Sequence, residues 1–163
     1  MYINYREIYP DYRFKHNKRF FLPIFNLYLC PQYEQHDTMK KIQLTDTHKE
    51  KLFQIPLFRN LPLNIKESLL EKLDFVVYIA NKKEIVVTQG TPCNKLYVLV
   101  EGKLRTDIID GLGNEVMIEY IIAPRTFATP HLFSSDNTLP ATFTALEDSV
   151  ILMATKDSTF KVI

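Results

Sequence analysis

Residues 84–145 read E-I-V-V-T-Q-G-T-P-C-N-K-L-Y-V-L-V-E-G-K-L-R-T-D-I-I-D-G-L-G-N-E-V-M-I-E-Y-I-I-A-P-R-T-F-A-T-P-H-L-F-S-S-D-N-T-L-P-A-T-F-T-A. This stretch holds all four glycines of the chain, Gly90, Gly102, Gly111 and Gly113. Each lies between short runs rich in Val, Ile, Leu and Tyr, where a chain that turns back on itself needs positive φ. The spacing therefore predicts successive short strands over residues 85–87, 96–100, 104–109 and 116–121. Asp110-Gly111-Leu112-Gly113-Asn114 reads as the turn of a hairpin. The pattern is that of a small antiparallel β-roll.

Working outward, residues 75–80 predict a strand before this stretch, with a polar turn at Asn81-Lys82-Lys83-Glu84. Residues 128–137 read as non-strand, residues 141–145 and 149–154 as closing strands joined at Glu147-Asp148. Further upstream, Thr47-His48-Lys49-Glu50 has capping-box spacing, with Thr47 as the expected N-cap. The helix it opens must stop near Ile55-Pro56, because the residue before proline avoids the α region. Residues 64–73 predict a second helix with an apolar stripe of Ile65, Leu69 and Leu73.

The order strand, Gln89-Gly90, strand, Glu101-Gly102, strand, Asp110-Gly111-Leu112-Gly113, strand resembles the sensory domain of the Crp/Fnr regulators. The likeness runs from about residue 52 to residue 163 and includes the helical lead-in around Ile55-Pro56-Leu57-Phe58. It implies a mainly β fold with flanking helices, an antiparallel double-stranded β-roll of the cyclic nucleotide-binding-like jelly-roll kind. The organisation expected is a disordered leader over 1–38, a helical lead-in over 39–74, the β-roll over 75–155 and the start of a truncated dimerisation helix over 156–163. The truncation would leave apolar surface of the roll exposed and favour self-association.

In that family the phosphate of a cyclic nucleotide sits in a cassette F-G-E-[LI]-x-x-L followed by R-[ST]-A. Glycine and the helix N-terminus offer N–H groups to the phosphate. The glutamate accepts from the ribose, and the arginine pairs with the anion. Laid on this chain, the cassette becomes Phe127, Ala128, Thr129, Pro130, His131, Leu132 and Phe133, then Leu139, Pro140 and Ala141, with Thr142 following. Ala128 stands for the glycine, Thr129 for the glutamate, Leu139 for the arginine and Pro140 for the small hydroxyl residue. Loss of the arginine alone removes about 1.5–3 kcal/mol, one to two powers of ten in affinity. Arg125 and His131 are the groups that would supply charge from a displaced position. No cofactor is expected, cyclic AMP binding is not expected, and the residues name no small-molecule effector. A pocket filled by its own side chains and a pocket adapted to a neutral ligand stand as equal readings.

Composition narrows the alternatives. Twenty basic against nineteen acidic residues give a net charge of +1, which supplies no bulk polycation for nucleic acid. Cys30 and Cys93 cannot build a four-thiolate site or a C-x-x-C pair, so a reduced, cytoplasmic protein is the economical reading. No apolar run reaches the roughly 20 residues that span a bilayer. Only His131 falls in the roll, where a cupin-type metal centre needs two or three histidines, and no P-loop occurs. No enzyme is expected. Residues 1–38 hold ten of the twenty aromatic residues and no glycine, and read as a leader upstream of Met39 or as a basic-aromatic arm. The expected function is the ligand-sensing domain of a Crp/Fnr-type transcriptional regulator with a degenerate phosphate cassette. Its expected partner is a second copy or a full-length relative, without direct DNA binding. The alternatives are a protein–protein interaction module and a non-functional gene remnant.

Overall fold

The computed structural model describes residues 39–162, and the leader expected over 1–38 lies outside them. The chain enters through the short strand β1 (Lys40–Ile42), then helices α1 (Asp46–Gln54), α2 (Pro56–Arg59) and α3 (Leu63–Leu73). The roll follows as β2 (Val76–Ala80), β3 (Ile85–Val87), β4 (Lys95–Glu101), β5 (Lys103–Ile109), β6 (Glu115–Ile122) and β7 (Arg125–Phe127). Helix α4 (Thr129–Phe133) precedes β8 (Thr142–Ala145) and β9 (Ser149–Thr155), and α5 (Lys156–Phe160) closes the described chain.

Two antiparallel sheets face each other. One has the order β1-β2-β9-β4-β7, the other β3-β8-β5-β6. β4 and β9 are buried from Leu96 to Val100 and from Ser149 to Ala154. Such uninterrupted burial is what a strand covered on both faces requires. Here α1 and α4 pack against β4, and α5 against both β4 and β9.

The lead-in forms as its prolines dictate. Pro56 starts α2 because its missing N–H costs nothing in the first turn, and Leu52, Ile55 and Phe58 are buried in the core. The helix start is two residues earlier than the sequence indicated. Thr45, not Thr47, is the N-cap: its Oγ1 accepts from the His48 N–H at 3.3 Å, and His48 Nδ1 accepts from the Thr45 N–H at 3.2 Å. A histidine thus takes the place that a glutamate holds in the usual box. The stripe on α3 is also narrower than expected, since Leu73 is buried but Ile65 is 42% exposed. β1 and β7, each three residues long, were not anticipated.

The β5–β6 hairpin is closed by Asp110, whose Oδ1 accepts from the Leu112 and Asn114 N–H groups at 2.9 and 2.8 Å. Bonds from Asn114 above all hold that carboxyl below its ordinary pKa. Gly102 makes the reversal between β4 and β5 at φ +89°, against Ser149. An added Cβ would sit 2.8 Å from the Ser149 Cα, a backbone contact that no rotamer change relieves. Gly102→Ala combines that clash with left-handed strain, and should cost about 3 kcal/mol or more. Urea denaturation measures it; a loss below roughly 1 kcal/mol would mean the corner yields.

Candidate functional site

Three aromatic rings build the wall of the site from both sheets. β4 and β7 are antiparallel, with Tyr97 opposite Phe127, and their rings stack with centroids 5.3 Å apart. Phe143 of β8 reaches from the other sheet to 5.1 Å from Phe127. All three side chains are buried, and ring contacts of this kind add about 0.5–1.5 kcal/mol each beyond area burial.

From Phe127 the chain turns at Ala128 into α4. Ala128 has φ +57° and ψ +6°, the left-handed region, which costs a residue with a Cβ about 1–2 kcal/mol. This is the position at which the cassette pattern carries glycine. Thr129 opens the helix, and its Oγ1 is buried without a hydrogen-bond partner. Pro130 follows in the first turn and faces solvent. His131 is half-buried, and its N–H donates to the Ala128 carbonyl at 3.1 Å. Leu132 is fully buried, while Phe133 is exposed and meets Phe160 of α5 edge-to-face at 5.5 Å.

The second half of the cassette follows a short loop. Asp136 Oδ1 accepts from the Thr138 N–H at 3.1 Å. That bond first, then one from the Thr138 side chain and the nearby His131, hold its carboxyl below the ordinary value. Leu139 is 1% exposed. Pro140 points to solvent, Ala141 is buried, and half-buried Thr142 accepts the Gln89 N–H on its Oγ1 at 3.0 Å. Of the residues named from sequence, Phe127, Leu132, Leu139 and Ala141 are therefore core. Ala128, Thr129, His131 and Thr142 are half-buried around them, and Pro130 and Pro140 lie outside. Residues 127–142 contain neither Lys nor Arg. Arg125 is spent on the strand edge, 3.6 Å from Glu119.

Four contributors lie outside the cassette named from the sequence. Tyr97, the tyrosine that follows Gln89-Gly90 in the spacing that carries the family resemblance, reads there as part of the fold and not of the site. Thr106 of β5 is 4% exposed, and its Oγ1 has no partner; alternation from Leu104 was the available signal. Gln89 clasps the end of β5, accepting from the Ile109 N–H at 2.7 Å and donating to its carbonyl at 3.2 Å. Cys93 is fully buried, its Sγ 3.6 Å from the Lys95 carbonyl and 3.7 Å from that of Ala128. Burial pushes its thiol pKa up, which makes it a packing residue rather than a nucleophile. Among the described residues no three His, Cys, Asp or Glu side chains converge to hold a metal. No helix there is long and apolar enough to cross a membrane.

Residues 80–163 match the family model of the cyclic nucleotide-binding domain, just over half of the chain. Similar solved structures include transcriptional regulators and a cyclic AMP-bound PfPKA-R. A transcriptional regulator from Thermotoga maritima is 29% identical, with a TM-score of 0.53, covering 59% of this chain and 73% of that one. The sensor domain of the regulator DNR from Pseudomonas aeruginosa is 23% identical, with a TM-score of 0.62 and coverages of 71% and 75%. The catabolite activator protein of Thermus thermophilus is 21% identical, with a TM-score of 0.60. The comparison covers 66% of this chain but only 49% of that protein. No curated protein sequence matches this chain.

The strain at Ala128 is directly testable. Ala128→Gly relieves the left-handed penalty and loses part of the gain to the freer unfolded chain, so stability should rise by about 0.5–1 kcal/mol. Urea denaturation reads the change; a loss of stability would mean that Ala128 Cβ packing outweighs the strain.

Proposed function

The chain belongs to the cyclic nucleotide-binding domain family, and we propose that it is the sensory domain of a Crp/Fnr-type transcriptional regulator whose phosphate cassette no longer takes a cyclic nucleotide. The observation that carries this reading is Leu139, buried where the cassette pattern places the phosphate-binding arginine. A cyclic phosphate at this place would lose its water and find neither Lys nor Arg within residues 127–142, where His131 is the sole basic side chain. A buried anion without a partner is strongly disfavoured. Thr129 replaces the carboxylate and leaves the ribose without its acceptor. The role is one of binding and transmission rather than catalysis, in a cytoplasmic setting suited to the free, buried thiol of Cys93. The reading includes no direct DNA contact by residues 39–162.

Titration calorimetry with cyclic AMP and with cyclic GMP tests this. No saturable heat is expected up to about 1 mM ligand, the level corresponding to roughly 4 kcal/mol of binding energy. Micromolar binding of either nucleotide would overturn the reading.

A second reading, an interaction module, is favoured by β6. This edge strand exposes Val116, Met117, Ile118, Tyr120 and Ile122, each at least 42% accessible. Unpaired apolar edges invite pairing with another chain. The partner proposed for it is a second copy. Sedimentation velocity should show concentration-dependent dimer, abolished by Ile118→Lys combined with Ile122→Lys. A wild-type protein that stays monomeric at about 100 μM, weaker than roughly 5–6 kcal/mol of association, would remove this reading.

A further inference from the structure

We propose that Leu139 is the built-in occupant of the sensory pocket, held there by a strap of residues 137–142 that keeps the domain in one state without an effector. This rests on the reading that the cassette takes no cyclic nucleotide, and goes beyond it by naming what fills the space.

The strap is stitched along its length to residues 89–94. The Cys93 N–H donates to the Asn137 carbonyl at 2.7 Å, the Leu139 N–H to the Thr91 carbonyl at 2.9 Å, and the Gly90 N–H to the Leu139 carbonyl at 2.8 Å. Asn137 Nδ2 donates to Asn94 Oδ1 at 3.2 Å, Pro92 and Thr138 form a β-bridge, and the Gln89 N–H reaches Thr142 Oγ1. Both backbone groups of Leu139 are thus engaged on the same partner segment. Pro140 stiffens the strap and holds Leu139 in the extended region. Leu139 itself is among the fully buried side chains of the core.

Two hydroxyls mark the interior as one with polar remnants. Thr129 Oγ1, in the cassette, and Thr106 Oγ1, opposite Phe143 on β5, are both buried and unpartnered. A core selected only for packing has no use for them, since a buried hydroxyl without a partner costs free energy. A ligand shifts an equilibrium only by its differential affinity for the two states, so a pocket whose occupant is covalently attached favours one state at every effector concentration.

Leu139→Ala should lower the melting temperature by about 10 °C and leave an apolar cavity of the kind that takes benzene. Saturating benzene should then raise the melting temperature of the variant by a few degrees and leave the wild type unchanged. Should the alanine variant not fold, Leu139→Val gives the same comparison with a smaller cavity. In the wild type, the Gly90, Cys93 and Leu139 amides should exchange hydrogen as slowly as those of β4 and β9. Stabilisation of the wild type by benzene, an unchanged melting temperature in Leu139→Ala, or fast exchange at these amides would each overturn the proposal. Stabilisation of the wild type by cyclic AMP would instead overturn the underlying reading of the cassette. The two failures are therefore distinguishable.

Discussion

The corner at Gly102 and Ser149 is the constraint on which the roll depends. Four connections pass between the sheets around it: β2 to β3, β4 to β5, β6 to β7 and β8 to β9. Gly102 turns β4 out of one sheet and into the other without a spacer, and its carbonyl accepts from the Ala123 N–H, which ends β6, at 3.1 Å. The Lys103 N–H donates to Ser149 Oγ at 3.3 Å, and the Lys103 carbonyl accepts from the Leu146 N–H at 2.9 Å. The β2–β3 turn is tied to the same end through the Lys83 N–H and Ala145 carbonyl at 2.7 Å, and the Lys82 N–H and Asp148 at 2.9 Å. A side chain at residue 102 would strike Ser149, at the start of β9 among these connections. That is a reason for a single glycine there rather than a longer loop.

Fixing that end leaves the cassette to be built at the other. β7 leads away from the corner to Phe127, and α4 with its loop returns to β8. The ring of Phe127 lies between Tyr97 of its own sheet and Phe143 of the facing one. The cassette is therefore anchored by packing on both sides without any ligand. The same anchoring explains why the turn at Ala128 survives its own strain. Phe127 and Leu132 are both buried, and a turn of different shape would withdraw one of them. Burying such a side chain is worth about 1.5–3 kcal/mol, more than the left-handed penalty of about 1–2 kcal/mol.

Most of the architecture was legible because burial writes itself into local pattern. β4 appeared as an unbroken apolar run, β5 and β6 as strands flanking a glycine-rich turn, and the lead-in as residues punctuated by Pro56 and Pro62. The failures have equally local causes. β1 and β7 are too short for alternation to register, and they exist because β2 and β4 offer edges to pair with. The capping error arose because Thr45 and Thr47 are both good caps, and the choice was settled by His48 acting as the reciprocal acceptor. The identities of the cassette residues were readable; their burial was not. Whether Leu139 faced solvent or core depended on where residues 89–94 lay, about fifty residues away in sequence.

That dependence separates the two things a cassette must do. Its frame is a matter of backbone, set by the rings beneath it and by the pairing of residues 137–142 with residues 89–94. Its chemistry is a matter of a few side chains whose identity the backbone pairing does not dictate. Ala128, Thr129 and Leu139 can therefore stand where the cassette pattern has glycine, glutamate and arginine, with left-handed strain at Ala128 and one unpartnered hydroxyl, that of Thr129. Replacing a solvated cation by a leucine even adds apolar burial. With Leu139 buried at this position the roll is held by a filled core.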